Sequence, residues 1–406
     1  MDLFLLYQFI ILVILGVLLA NFLFNQYLYK DISNFKLPGK IKDDPPLVSV
    51  LIPARNEEKN INKCIKAFIK QDYPNFEIVV LDDNSSDDTY NIVKKLSKQN
   101  KNIRIFKGKT LPPGWLGKNY ACHQLSRLAR GDYFIFTDAD TYHYPNSISS
   151  SLAALLINNL DALCPFPRQI MITIHERMTI SFMNFAILLF MPLALIRKSK
   201  NPLFCTGIGQ YILFKREVYF GMGGHAAVRG KILEDVHITK KTKEMGYSYM
   251  IFDGRKIIFC RMYRNFKQVL AGYSRFLFSA FDYNIYMMSI AVIFFTLLFL
   301  LPNIFLPMGL FVYHWPREIL LSIIAQIGIV SLIRLINALR FKEKIFDILL
   351  SPLSIVYIIL MAFNSFFQSK FGNGIYWKGR TYQAESKSGE LNVVEDESNK
   401  LKAKNH

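Results

Sequence analysis

The feature that most constrains this chain is the placement of its uncharged apolar segments near its two ends. Residues 3–24 contain no charge, and about 20 apolar residues are enough for a helix to cross the hydrocarbon core of a bilayer. Three further apolar runs lie towards the C-terminus, at residues 284–316, 319–333 and 348–369. The sequence therefore predicts a membrane anchor, a globular domain and a second membrane region, in that order.

The domain boundaries follow from this pattern. We expect an N-terminal transmembrane anchor over residues 1–28, an α/β domain over residues 45–275 and a transmembrane region over residues 284–369. Residues 370–406 are polar and charged, which predicts a basic tail that is partly disordered. Residues 178–196 form another uncharged run, for which we expect an interfacial or re-entrant helix. A buried core helix is the alternative for that run.

The composition favours a membrane and a reducing compartment. The formal net charge is +18, and 51% of the residues are hydrophobic. Positive charge beside apolar segments favours lipid headgroups and anionic ligands, and no zinc-finger or RNA-recognition signature points to nucleic acid. The five cysteines lack CxxC spacing, which argues against disulfides and structural zinc. Lysines follow the first apolar run, so the positive-inside rule predicts a multi-pass protein of the cell membrane with its globular domain in the cytoplasm.

The middle of the chain alternates strands and helices. LVSVLI at residues 47–52 predicts a strand, PARNEE at 53–58 leads into a helix, and EIVVLDD at 77–83 predicts the next strand. This order predicts a mostly parallel, Rossmann-like sheet, in which ligands bind beyond the carboxyl ends of the strands. Four acidic residues lie at such predicted ends: Asp82, Asp83, Asp138 and Asp140. Their convergence favours one binding site over separate solvated turns.

Two of these carboxylates, Asp138 and Asp140, lie one residue apart in FTDADT. If the strand continues through them, its period of two places both side chains on one face. Like charges repel unless a cation or a ligand compensates them. A solvated turn with a helix cap is the alternative. Because the chain has neither a GxGxxG fingerprint nor a P-loop, a divalent cation, Mg²⁺ or Mn²⁺, is the expected partner of phosphate groups here.

Several motifs together resemble those of family-2 glycosyltransferases, which have the GT-A fold. They are PARNEE (53–58), DDNSSDDT (82–89), GWLGKNYAC (114–122), FTDADT (136–141) and LEDVHITKKTKEMGY (233–247). More closely, four motifs resemble the membrane-bound subgroup that includes diaponeurosporenoate and hopanoid-associated glycosyltransferases: GWLGK (114–118), GGH (223–225), RMY (261–263) and YWKGRTY (376–382). The resemblance implies a GT-A catalytic domain that uses a nucleotide-sugar donor.

The resemblance also implies roles for individual residues. Asp138 and Asp140 would hold the divalent metal, and Asp235, with Glu234 beside it, would supply the catalytic base. An N-cap is the alternative role for Asp235. The implied donor-binding residues are Pro53, Arg55, Glu57, Asp82, Asp83, Lys118, Asp138 and Arg261. The implied acceptor-binding residues are Gly223, Gly224 and His225, although a surface position for Lys118 and an ordinary turn for GGH stay open.

The sequence thus predicts inverting transfer of a single sugar from a nucleotide sugar, UDP-linked by the resemblance, to a membrane lipid such as a carotenoid, a hopanoid or another glycolipid precursor. The QxxRW motif of processive polysaccharide synthases is absent, because the corresponding stretch reads RMYRNFKQV. Three alternatives remain: a processive synthase, a nucleotidyltransferase and a catalytically inactive membrane partner subunit.

Overall fold

The computed structural model describes residues 2–372, 375–384 and 391–396. The chain divides into two compact units. The helical unit comprises Met1–Leu28, Met171–Leu193 and Tyr263–Lys370, and the sheet unit comprises Tyr29–Ile170, Ala194–Met262 and the segment from Phe371 onward. The expected tail therefore belongs, where it is described, to the sheet unit.

The strands, numbered in chain order, are β1 Val48–Ala54, β2 Phe76–Asp82, β3 Ile103–Lys107, β4 Tyr133–Phe136, β5 Thr141–His143, β6 Ala162–Phe166, β7 Arg168–Gln169, β8 Ile212–Lys215, β9 Tyr249–Asp253, β10 Ile258–Cys260, β11 Ile375–Trp377, β12 Arg380–Ala384 and β13 Leu391–Asp396. The α-helices are α1 Asp2–Leu28, α2 Gly39–Asp43, α3 Ile61–Ile69, α4 Thr89–Gln99, α5 Gly117–Leu128, α6 Ser147–Ile157, α7 Ile174–Phe190, α8 Leu193–Lys198, α9 Arg216–Gly221, α10 Glu234–Glu244, α11 Phe266–Phe276, α12 Ile285–Phe295, α13 Leu301–Phe311, α14 Arg317–Phe341 and α15 Ser351–Phe371.

A seven-stranded sheet with the order β3-β2-β1-β4-β8-β6-β9 forms the centre of the sheet unit. Strand β8 runs antiparallel to both of its neighbours, and every other pair in this sheet is parallel. The prediction of a Rossmann-like, mostly parallel sheet is confirmed. Because β1, β2 and β4 are parallel neighbours, their carboxyl ends bring PARNEE, DDNSSDDT and FTDADT to the same edge of the sheet.

The core of this unit follows from the apolar pattern of its elements. Strand β1 is buried along nearly its whole length, and the apolar face of α3 packs on the sheet through Ile61, Cys64, Ile65 and Phe68. Residues four apart on a helix share a face, so this spacing needs an amphipathic helix. The packing fixes the turn between β1 and α3 at the edge where the acidic motifs meet.

Two small sheets flank the central one. Strand β10 pairs antiparallel with β5 and parallel with β7. Strands β11, β12 and β13 form an antiparallel sheet in the C-terminal segment. Charge and polarity had indicated a partly disordered tail, and they gave no sign of these strands. The remaining residues of the expected tail lie outside the described part of the chain.

Four helical stretches of the described chain are long and apolar enough to cross a membrane: Leu3–Leu28, Ile285–Phe311, Arg317–Phe341 and Ser351–Phe371. They indicate that the protein associates with a membrane. The second stretch joins α12 and α13 through a π-helical turn at Thr296–Leu300. The run at residues 178–196, expected as one interfacial or re-entrant helix, is divided between α7 and α8, and its position in the membrane interface stays a prediction.

Polar side chains hold the helical unit together. Asn25 of α1 donates from Nδ2 to the Leu188 carbonyl (2.8 Å) and accepts from the Leu193 amide (3.0 Å), so it satisfies backbone groups at the end of α7. Arg334 of α14 is buried and donates to the Ser181 hydroxyl (2.9 Å), which in turn donates to Glu343 (2.6 Å). The positive charge of α14 is therefore linked to a carboxylate through one hydroxyl.

Glu77 of β2 joins three neighbouring segments of the sheet unit. It accepts hydrogen bonds from the Ser49 hydroxyl (2.7 Å), the Arg130 amide (2.7 Å) and the Arg104 guanidinium (2.8 Å), and it is buried. Burial alone would raise the pKa of Glu77, but the three donors outweigh burial and lower that pKa.

We expect Glu77→Gln to lower the free energy of unfolding by about 2 kcal/mol, because it removes the charge-assisted part of three hydrogen bonds. The contribution of a carboxylate with a lowered pKa is present at neutral pH and is lost as the pH falls through its folded-state pKa. The thermal midpoint of the purified protein should therefore drop at pH 7 and converge with wild type in acid. Glu217→Gln, at an exposed position of α9, is the matched control. Equal midpoints at pH 7 would contradict the assigned role.

Candidate active site

The two aspartates of FTDADT lie in a hydrogen-bonded turn and not on a strand. Strand β4 ends at Phe136 and β5 begins at Thr141. The Thr141 hydroxyl donates to the Asp138 carbonyl (2.7 Å), and the Thr137 hydroxyl donates to the Gln210 carbonyl (2.8 Å). The expected strand alternation is thus wrong for these residues, because side chain–backbone bonds bend the chain directly after β4.

His143 completes the support of this turn. Its Nε2 lies 2.8 Å from the Thr141 hydroxyl and 3.1 Å from the Thr137 hydroxyl, and the ring is buried against Phe68. Burial lowers the pKa of His143 to about 3, so the ring is neutral at physiological pH. No sequence pattern singles out these threonines or this histidine, since their role depends on contacts between β4, β5 and β8.

Lys118 bridges two acidic motifs. Its Nζ lies 2.6 Å from Asp138 Oδ1 and 2.7 Å from Glu234 Oε1. Burial would lower the pKa of Lys118, but Asp138, Glu234 and Asp235 outweigh burial and raise it well above its ordinary value. The lysine is therefore charged, and the alternative of a surface lysine is wrong. Gly209 lies against it, since a β-carbon there would approach Lys118 Nζ to 2.7 Å.

Asp235 is fixed in the first turn of α10. The N-cap of this helix is Leu233, so Asp235 does not have the capping role that was the alternative. Its Oδ2 accepts from the Gly209 amide (2.7 Å), and its Oδ1 accepts from the Val236 amide (2.8 Å). Burial, followed by the negative charge of Glu234, raises the pKa of Asp235 to about 7. A carboxylate that ionises near neutral pH is suited to accept a proton.

Asp140 lies in a similarly acidic environment. Burial, then Asp138 and Glu57, raises the pKa of Asp140 to about 7, while Lys378 and Lys118 act in the opposite direction. Within the described residues, no group of three or more histidine, cysteine, aspartate or glutamate side chains is gathered closely enough to hold a metal alone. Two carboxylates nevertheless fit Mg²⁺ or Mn²⁺, which take one or two protein ligands and complete their shell with water and phosphate oxygens.

A second cluster lies at the ends of β1 and β2. Arg55 Nη1 donates to the Asp83 carbonyl (2.7 Å), and the Glu57 amide is 2.8 Å from the Thr89 hydroxyl. Asp82 is buried, and its Oδ1 has no hydrogen-bond partner among the described residues. Burial raises the pKa of Asp82. These four residues of the expected donor-binding set are thus adjacent at one edge of the sheet.

Residues 378–382, which we call the C-terminal strap, contact the same cluster. Arg380 pairs with the Asp83 carboxylate and Lys378 pairs with Glu57. The resemblance of the YWKGRTY motif does not predict these contacts. No local pattern could reveal them, because about 300 residues separate the partners along the chain.

The other expected residues are distributed as follows. A narrow cleft is lined by Pro53, Lys118, Asp138, His225, Glu234 and Asp235 together with apolar neighbours. His225 is buried, its Nδ1 lies 2.8 Å from the Tyr219 hydroxyl, and burial lowers its pKa to about 3. Gly223 and Gly224, both with positive φ, form the turn before it and do not line the cleft. Arg261 lies in the loop after β10, also away from the cleft lining.

Comparison with known proteins identifies one domain of the chain. Residues 49–220 match the sequence profile described as Glycosyl transferase family 2. The chain contains a family-2 glycosyltransferase domain. The matched range includes PARNEE, DDNSSDDT, GWLGK and FTDADT, and it ends before α10, which carries Glu234 and Asp235.

Two curated proteins are similar to part of this chain. The 4,4'-diaponeurosporenoate glycosyltransferase of Staphylococcus haemolyticus is 27% identical over 236 residues, which cover 57% of this chain and 60% of that protein. The beta-monoglucosyldiacylglycerol synthase of a Nostoc species is 34% identical over 103 residues, covering 25% of this chain and 22% of that protein. The chain thus spans no more than about three fifths of the length of these relatives.

One solved structure has a fold similar to that of this chain. The mannosyltransferase of Pyrobaculum calidifontis, solved with GDP-Man and Mn²⁺, aligns with a TM-score of 0.54 at 17% identity and covers 90% of this chain and 100% of that one. At this identity the similarity concerns the GT-A fold alone.

The charges around Asp235 give a pH test. If Asp235 is the base of a sugar-transfer reaction, it must be ionised to accept a proton, so the rate should rise with pH through about 7. Glu234 raises this pKa, and Glu234→Gln should therefore move the rising limb of the pH–rate profile to lower pH. Glu217→Gln, on the exposed face of α9, should leave the limb in place. An unchanged or upward-shifted limb in Glu234→Gln would refute the electrostatic assignment.

Proposed function

We propose that this protein is an inverting glycosyltransferase that moves one sugar from a nucleotide sugar to a membrane lipid. The observation that carries the proposal is the cluster around Lys118, which joins Asp138 of FTDADT to Glu234, the neighbour of Asp235. A proton acceptor with a pKa near 7 thereby lies in the same cleft as the acidic motif of a family-2 glycosyltransferase domain.

The chemistry follows from these positions. A nucleotide diphosphate leaves the anomeric carbon of the sugar while an acceptor hydroxyl or carboxylate attacks the opposite face. Asp235, held by the Gly209 and Val236 amides, takes the proton of an acceptor hydroxyl. Lys118 supplies fixed positive charge beside Asp138. A divalent metal on Asp138 and Asp140 would stabilise the negative charge of the leaving diphosphate. One displacement inverts the anomeric configuration.

The donor side is assigned to the edge of β1 and β2. Arg55, Glu57, Asp82 and Asp83 supply a guanidinium and three carboxylates where a parallel sheet binds nucleotides, and Pro53 lines the cleft. The unpartnered Oδ1 of buried Asp82 supports a polar ligand at this edge. The motif resemblance favours UDP, and the fold neighbour, whose description names GDP-Man and Mn²⁺, makes GDP the alternative and Mn²⁺ the first metal to test. Arg261, outside the cleft lining, is retained as a peripheral donor contact.

The acceptor is proposed to be a lipid. The helical unit contains apolar stretches of membrane-spanning length, and the relatives' names specify a carotenoid acid and a glucosyldiacylglycerol. A polyisoprenoid-type acceptor is the first choice and a diacylglycerol-type lipid the second. His225 is proposed as the acceptor-side residue because it lines the cleft with Asp235, while Gly223 and Gly224 shape the turn that positions it.

We further propose a cell-membrane location with the glycosyltransferase domain in the cytoplasm. The strap pairs with Glu57 and Asp83, so the chain returns to the side of its own domain, and an even number of full crossings must lie between residues 262 and 378. The contacts of α15 support the proposal that this helix does not cross the membrane. Asn364 donates to the Ser274 hydroxyl (2.6 Å) and Ser365 accepts from the Phe278 amide (2.9 Å), just before α12 begins. The end of α15 thus lies level with the entry of α12.

Transfer can be tested directly. Membranes containing the protein, incubated with labelled UDP- or GDP-sugars and Mn²⁺, should move label into the lipid fraction. Asp140→Ala should abolish this transfer and weaken nucleotide diphosphate binding in Mn²⁺. Asp235→Asn should abolish transfer and leave that binding nearly unchanged, because the base acts only on the acceptor.

Different outcomes separate the alternatives. Equal loss of nucleotide binding in both variants would refute the division between metal site and base. Label in a long polymer would identify a processive synthase, and transfer of the nucleotide itself would identify a nucleotidyltransferase. Nucleotide binding without any turnover would indicate an inactive partner subunit.

Membrane sidedness gives a separate test. The five native cysteines are buried and should first be replaced. Single cysteines at the exposed positions Lys95 and Lys370 should resist an impermeant maleimide in intact cells. A cysteine at Tyr313, between α13 and α14, should react, because α12–α13 and α14 are the proposed crossing pair. External labelling at Lys370 would show that α15 crosses.

A further inference from the structure

The C-terminal strap is packed into the edge of the sheet unit that we assign to the donor. The Arg380 side chain is 1% exposed, and its guanidinium reaches both carboxylate oxygens of Asp83, with Nη2 3.0 Å from Oδ1. Such a bidentate ion pair requires a specific geometry of the two side chains. Since burying an unpaired guanidinium is costly, Asp83 is what holds Arg380 in this position.

Other strap residues occupy neighbouring groups of the same edge. Lys378 pairs with the Glu57 carboxylate, and its carbonyl accepts from Arg55 Nε (2.8 Å). The Tyr382 ring is buried against Leu116. The strap therefore contacts Arg55, Glu57 and Asp83, three of the residues to which the donor nucleoside is assigned.

Arg380 fills the space beside Asp83 at the start of α5. Gly117, the first residue of α5, lies against the Arg380 guanidinium, and a β-carbon at Gly117 would collide with Arg380 Nη1. With Arg380 in place the Asp83 side chain is 6% exposed, so a ligand has little access to its carboxylate.

We propose that the strap is a gate that occupies the nucleoside subsite and that the donor must displace. The inference rests on the proposed function, because it takes Asp83 and Glu57 as donor contacts. Donor binding would replace each hydrogen-bond partner that the two carboxylates lose. The donor's N–H and hydroxyl groups replace the strap as partners of the two carboxylates, while Lys378 and Arg380 move into water, where cations are well solvated. Donor and strap then compete for one set of groups.

The competition between donor and strap determines how much the apparent Kd for the nucleotide should change. The apparent dissociation constant of a ligand equals its intrinsic value divided by the fraction of protein in the binding-competent state. If the open state is populated at about 10% or less, weakening the strap should lower the apparent Kd for the nucleotide diphosphate by about tenfold. A strap that completes the donor site would have the opposite effect when weakened.

Two variants and one control measure this effect on the full chain in detergent. Lys378→Ala removes the pair with Glu57 and leaves the buried Arg380–Asp83 pair in place. Arg380→Ala removes the central contact. Both should bind UDP or GDP with Mn²⁺ more tightly than wild type. Lys95→Ala, which removes an exposed positive charge on α4, should bind like wild type. Weaker binding in Lys378→Ala would overturn the proposal, whatever the folding of Arg380→Ala.

Limited trypsin digestion of the wild-type protein reports whether the strap is packed against the sheet unit or exposed. Arg380 is buried, so cleavage after it should be slow without ligand and at least several-fold faster with UDP or GDP and Mn²⁺, as followed by mass spectrometry of the released C-terminal peptide. Calorimetry on the same samples shows whether the nucleotide is bound. Binding with unchanged or slower cleavage overturns the gate and leaves the proposed function standing. Absence of nucleotide binding in wild type and in both variants overturns the gate together with the proposed donor.

Discussion

The ammonium of Lys118 links the parts of the candidate active site. It lies in the first turn of α5, between Asp138 after β4 and Glu234 at the start of α10. Charges inside a protein interact more strongly than in water, and each would be unfavourable to bury alone. Neither carboxylate can shift without leaving the lysine partly uncompensated. The cleft depends on this bridge, and Gly209, by lacking a side chain, provides the space for it.

The bridge does not neutralise the cleft. Asp140 and Asp235 both have a pKa raised to about 7, by burial first and by neighbouring carboxylates second. The raised pKa has a different chemical consequence at each of these two residues. At Asp235 burial yields a carboxylate able to exchange a proton near neutral pH. At Asp140 burial makes the ionised form unfavourable, and a divalent cation would compensate that charge.

The segment that follows the helical unit adds positive charge to the edge of β1 and β2. Helix α15 ends at Phe371, and within a few residues the chain enters the strap, whose Lys378 and Arg380 pair with carboxylates at the ends of β1 and β2. Side chains that follow the last apolar helix thereby belong to the charge balance of the glycosyltransferase domain. Whatever binds at Asp83 and Glu57 must take account of these cations, either as competitors or as partners.

The sequence by itself determined the layout: the apolar stretches, the alternation that produces a mostly parallel sheet, and the meeting of the acidic motifs at one edge of it. These features follow from local periodicity, which a linear pattern records. It also pointed to Lys118 and Asp235, because both lie in motifs with a family resemblance. The sequence does not predict the turn that carries Asp138. Thr137 bends the chain there by donating to the carbonyl of Gln210, which is remote in sequence.

Only the tertiary structure decided the remaining contacts. The raised pKa of Asp235 depends on burial, and burial depends on how α10 packs over the sheet. The pairing of Arg380 with Asp83 joins residues from opposite ends of the chain. A sequence can indicate that a carboxylate lies at the end of a strand, because strand ends are set locally. It cannot indicate which cation meets that carboxylate, because the answer depends on the path of the whole chain.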